Sequence, residues 1–113
     1  MKSIHYAGDA LMTGDVIADA VVRYAAALAR ENTSRAIDIP VRFEDGSIRV
    51  VNFLLGPASQ IVAIPVEGDN DLEEVIDEGV VVELRQREAE LGIPAPQGDD
   101  EVLSDYDPNE LDL

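Results

Sequence analysis

Histidine occurs once in this chain, at position 5, and cysteine does not occur. A lone imidazole can act as a general base, a pH switch or a metal ligand. His5 has no second His or Cys with which to share a metal, and no Ser–His–Asp order stands out. A strand-surface histidine without special chemistry is therefore expected. The lack of Cys excludes a thiol nucleophile, a disulfide and a Cys-based zinc site. Gly8 to Gly14 precede a helical pattern, where a phosphate-binding loop would sit. They match neither G-x-G-x-x-G nor the G-K-[ST] ending of a P-loop. Asp9 and Asp15 would also repel a phosphate, so a connecting loop is expected. Carboxylates are abundant but poorly arranged for chemistry. Asp105, Asp107 and Asn109 fit the first ligand positions of an EF-hand loop, yet Glu110 stands where that loop needs Gly. The stretch from Asp69 to Glu78 lacks that Gly too. Glu73–Glu74 and Asp77–Glu78 are sequence neighbours, and helical neighbours point about 100° apart. They read as a solvated face, and no metal or cofactor is expected.

The acid is concentrated in the second half. Residues 1–66 carry seven acids and six bases; residues 67–113 carry seventeen acids and two bases, completing the whole-chain net charge of −16. Such a balance opposes nucleic acid and anionic membrane and favours a basic protein partner. Asp9, Asp15 and Asp19 interrupt the first twenty residues, so no secretory signal is expected, and a cysteine-free chain fits the cytoplasm. No apolar run is long enough to span a bilayer.

Hydrophobic periodicity predicts one α+β domain over residues 1–92 and an acidic disordered tail over 93–113. Ser3 to Tyr6 suggest a short strand, and Gly8-Asp9 a turn. Ile17, Ala20, Val21, Tyr24, Ala27 and Leu28 recur at helical spacing. They place a helix over Asp15 to Glu31, with Thr13 as N-cap and an Asp19–Arg23 pair on its outer face. Asn32-Thr33-Ser34 should end it. Ile37, Ile39, Val41 and Phe43 then alternate with polar residues, the mark of a half-buried strand. Pro40, which cannot donate to a ladder, suggests that this strand is an edge. Asp45-Gly46 predicts a two-residue type I′ hairpin turn. Ile48 to Leu55 and Gln60 to Val66 are apolar on both faces and are expected as the next two strands of a meander, the first of them central. A second helix, continuous or broken at Gly79, is expected from about Leu72 to Gly92. Gly79 and Val80-Val81-Val82 permit a rival strand over Val80 to Leu84. Ile93-Pro94-Ala95-Pro96 should stop it. The order β-α-β-β-β-α describes helices packed on a small antiparallel sheet.

A turn at Asp45-Gly46 would place Arg42 opposite Arg49. Like charges facing across a strand pair are unfavourable. Either two arginines splay into water beside local acids such as Asp38 or Glu44, or an anion sits between them, from the chain's own tail or from a ligand. That tail mixes acids with Val102, Leu103, Tyr106, Leu111 and Leu113, a pattern suited to ordering on a partner. The sequence thus favours a non-enzymatic interaction or regulatory module, with Arg42, Arg49, Leu103, Tyr106 and Leu111 as its binding candidates. The alternative is a small-molecule-binding protein or enzyme with a pocket between helix and sheet. Strands apolar on both faces also predict a homodimer.

Overall fold

The computed structural model describes residues 1–57, 60–67 and 73–92. The tail over 93–113, with Leu103, Tyr106, Leu111 and the Asp105–Asn109 motif, lies outside the described residues, as do 58–59 and 68–72. The elements are β1 (Lys2–Tyr6), β2 (Asp9–Thr13), α1 (Asp15–Arg30), β3 (Arg35–Arg42), β4 (Ile48–Leu55), β5 (Ile61–Pro65) and α2 (Glu78–Gly92). The five strands form one antiparallel sheet in the order β4-β3-β2-β1-β5. The predicted α+β class holds, with one strand more than expected.

That extra strand is the Gly8–Gly14 region. Tyr6 pairs with Asp9, and between them Ala7 and Gly8 take φ of 53° and 86°. This is the positive-φ pair of a two-residue hairpin turn. Thr13 ends β2 instead of capping α1, and its buried hydroxyl donates to the Pro40 carbonyl at 2.8 Å. Gly14 takes the cap position without a side-chain hydrogen bond.

α1 forms where the apolar stripe placed it, with Ile17, Ala20, Val21, Tyr24, Ala27 and Leu28 all buried. It stops at Asn32, whose φ of 52° is left-handed; the Asn32 and Thr33 amides return to the Ala29 and Leu28 carbonyls. That double return is a Schellman ending. The Asp19–Arg23 pair does not form. Asp19 instead accepts from Lys2 Nζ at 2.6 Å, and Arg23 meets Glu88 of α2 at 3.2 Å. Both acquire partners from neighbouring elements, which helical spacing alone does not reveal.

Three strand expectations change. β3 is interior, not an edge. β2 meets it only at Met12↔Arg42, so Pro40 runs past the end of β2 and its missing N–H breaks no ladder bond. β4 is an edge strand, not central. β5 leaves β4 altogether and pairs with β1 on the far side of the sheet. The single β2–β3 contact lets the sheet curl. The Tyr6 and Phe53 rings lie 5.5 Å apart, and the Tyr6 hydroxyl donates to the Leu54 carbonyl, though β1 and β4 stand three places apart.

α2 begins at Glu78, later than expected, and Val80 to Leu84 are helical. Val81 and Leu84 turn inward, so a β-branched run is overridden by packing against α1. Both helices join one core with Ile4, Ile37, Ile39, Val41 and Leu55. The other sheet face, with Ile48, Val50, Leu54, Val62 and Ile64, is left exposed.

Candidate functional site

The Arg42–Arg49 pairing is not what forms. Arg42 pairs with Ile48 and Val41 with Arg49, one residue out of the expected register. The cause is the turn. Gly46 alone has positive φ, 87°, while the Gly46 amide donates to the Phe43 carbonyl at 2.9 Å and the Phe43 amide to the Ser47 carbonyl at 2.8 Å. That is a three-residue loop with a bulge glycine, not a two-residue turn. A one-residue slip sends the two arginines to opposite faces of the ladder.

Each arginine then has its own surroundings. Arg42 donates through Nη1 to the Gly46 carbonyl at 3.1 Å and through Nη2 to the Glu73 carbonyl at 2.9 Å, so it ties the hairpin to the 73–77 segment. Its Nε is buried without a partner, and no described carboxylate forms an ion pair with it. Arg49 stacks 4.0 Å above the Phe43 ring and reaches Asp45 at 3.7 Å. The Ser47 hydroxyl and amide hold the Asp45 carboxyl below its usual pKa, with Arg49 adding to the effect. Both arginines border one cleft of about 560 Å³ beside Met12 and Phe43.

A second site lies where the 73–77 segment crosses the start of α1. A Cβ at Gly14 would stand 1.8 Å from the Val75 carbonyl oxygen, so only glycine lets the two backbones approach this closely. Glu74 accepts from the Asp15 amide and thereby caps α1 from outside the helix. The Met1 ammonium lies 2.9 Å from Glu74 and 3.0 Å from Asp15. These two carboxylates, Glu74 foremost, raise its pKa. Asp77 begins α2 by accepting from the Val80 amide at 3.1 Å. Between these anchors Val75 points into the core and Ile76 points out.

Ile76 forms one wall of a groove of about 450 Å³, floored by Ile17 and Val81 and bordered by Val16, Val82, Asp77 and Glu78. Its apolar members are large and open to water: Val16 is 52%, Val82 52% and Ile76 74% exposed. Glu74 and Arg85 complete the rim. The paired acids Glu73–Glu74 and Asp77–Glu78, read from sequence as a solvated helical face, lie mostly before α2; they hold the segment and edge the groove.

A cleft of about 970 Å³ opens at the other end, beside His5, Tyr6, Asp9, Ser34, Leu54 and Gln60. It lies among strand ends and turns, not between helix and sheet. His5 is exposed on the sheet surface opposite Ala10 and Val62. No cluster of metal-binding side chains occurs among the described residues. No described helix is long and apolar enough to cross a membrane. Comparison with family models, with curated proteins and with solved structures finds no match.

Sequence reasoning missed the groove because it began the second helix near Leu72, whereas residues 73–77 are not helical. The signal available was Asp77 three residues before Val80, a side-chain cap followed by an apolar run.

Proposed function

We propose that this chain is a non-enzymatic interaction module whose groove over Val16, Ile76 and Val82 receives an apolar, basic segment of a protein partner. The observation that carries this reading is the gathering of three exposed aliphatic side chains between two helices, with Asp77 and Glu78 at the rim. Aliphatic side chains this exposed stand in water unless something covers them. An amphipathic helix laid in such a groove would bury its leucines on Ile76 and set its lysines over the acids. The anionic back half would speed the encounter, and salt would slow it.

A fluorescent amphipathic Leu–Lys peptide tests the proposal. It should bind, bind more weakly in salt, and lose about tenfold in affinity with Ile76→Ala, the equivalent of roughly 1.4 kcal/mol. Equal binding of a Leu–Glu peptide, or indifference to Ile76→Ala, would overturn the assignment.

A further inference from the structure

The two ends of the sheet are built differently. β5 is five residues long and finishes in Pro65. β4 is eight residues, Ile48–Leu55, with no proline and with Arg49 as its only charge. Natural edges are blunted by proline, charge, bulges or cover, and β4 uses little of this. Three of its exposed side chains, Ile48, Val50 and Leu54, are apolar, and Val50 is 70% exposed.

The ladder shows which backbone groups β4 presents. The Phe43 amide donates to the Ser47 carbonyl, so that pair is hydrogen-bonded. Alternation along an antiparallel ladder then makes Val41↔Arg49, Ile39↔Val51 and Ile37↔Phe53 the bonded pairs. Ile48, Val50, Asn52 and Leu54 must therefore turn their amides and carbonyls away from β3. Pro40 agrees, since it stands opposite Val50, where no N–H toward β4 is required. Of these outward groups the Leu54 carbonyl already accepts from Tyr6. What remains is centred on Val50, flanked by Ile48 and Asn52.

We infer that β4 is the seam of a symmetric dimer, two copies paired antiparallel about a two-fold axis at Val50. In this register Val50 faces Val50 of the second copy and Ile48 faces its Asn52, which uses the three outward residues and spares the Tyr6–Leu54 bond. A centre at Val51 would require Leu54. Charge also fits a second copy. The seam lies in the front half, where acids and bases nearly balance, away from the strongly anionic back half. The same register carries the acidic turn Glu44–Asp45 of one copy past Leu55 of the other, about 10 Å or two strand spacings from Arg35. Arg35 donates to Thr33 and Ser34 and has no carboxylate partner among the described residues.

Sedimentation of the full chain at roughly 10 to 100 µM, a range suited to a small interface, tests this. The chain should be a dimer that tightens as salt screens the like charge of the two copies. Val50→Lys should make it monomeric. Val50→Pro should do the same, because it deletes an outward N–H while sparing the β3–β4 ladder. Val62→Lys on β5 should leave the dimer intact. Hydrogen exchange of the native chain should slow at the Val50 and Asn52 amides as concentration rises. A monomer throughout this range, dimers in both Val50 variants, equal disruption by Val62→Lys, or concentration-independent exchange at those amides would overturn the inference.

Discussion

Gly14→Ser sets two physical arguments against each other. At a helix N-cap, serine is preferred over glycine by a few tenths of a kcal/mol, because its oxygen can accept from the first turn. Local propensity thus predicts a small gain. The packing predicts the reverse. A Cβ at Gly14 would lie 1.8 Å from the Val75 oxygen, and contacts under 3.0 Å are essentially never tolerated, so the 73–77 segment must retreat by at least about 1.2 Å. Overpacking of this kind costs about 1–3 kcal/mol. Val75 is only 4% exposed, and its partial withdrawal from the core adds up to about 1.5 kcal/mol. The external cap from Glu74 moves with it. The net expectation is a loss of about 2–4 kcal/mol, read as a lower urea midpoint at unchanged slope. Gly92→Ala, where an added Cβ meets nothing within 4 Å, is the control and should change little. A midpoint for Gly14→Ser equal to or above that of the native chain would refute the close approach and the groove built on it.

Other substitutions test separate features. Ala7→Gly should stabilise by about 0.5–1 kcal/mol, because removal of left-handed strain at φ 53° outweighs the added freedom of the unfolded chain; thermal unfolding reads it. Val75→Ala should cost about 1.5–3 kcal/mol and weaken Leu–Lys peptide binding together with stability. The Met1 ammonium gives a pH dependence. Its pKa is raised above the ordinary 8.0, so the protons it holds favour the folded state. That contribution is fully present below pH 8.0 and disappears as pH climbs through the raised folded value. Lys2, raised by Asp19 from a starting value of 10.5, titrates later. Urea midpoints should therefore fall just above pH 8, and an N-acetylated chain should lack that step.

The parts of the fold that were legible in sequence are those set by one element's own periodicity. The α1 stripe and its Asn32 ending follow from 3.6-residue spacing and the tolerance of Asn for left-handed φ. The alternation of β3 likewise marked Ile37, Ile39 and Val41 as core. Choices between neighbours were not legible. Asp-Gly suits both a type I′ turn and a bulged three-residue loop, and the difference of one residue reverses which side of the sheet Arg49 faces. β4 and β5 are apolar on both faces, a pattern that fits a buried central strand and an uncovered edge equally well. Pro40 pointed to an edge because the sequence could not show that β2 ends before reaching it.

The uneven charge joins the groove to the seam. The near-neutral front half supplies the five strands of the described residues, including the β4 edge, while the acids at the rim of the groove on Asp77 and Glu78 belong to the anionic back half. Two copies meeting at β4 bring two back halves of the same sign together, and this repulsion opposes the seam over roughly a Debye length. A basic segment in each groove would remove part of that charge without touching β4. Peptide binding should therefore tighten the dimer, and by reciprocity the dimer should bind the Leu–Lys peptide more tightly than the Val50→Lys monomer does. Because both couplings act through screened charge, they should shrink together in high salt, whereas a coupling carried by a shape change in the sheet would persist. Equal peptide affinity for dimer and monomer at low salt would mean that the two surfaces act independently.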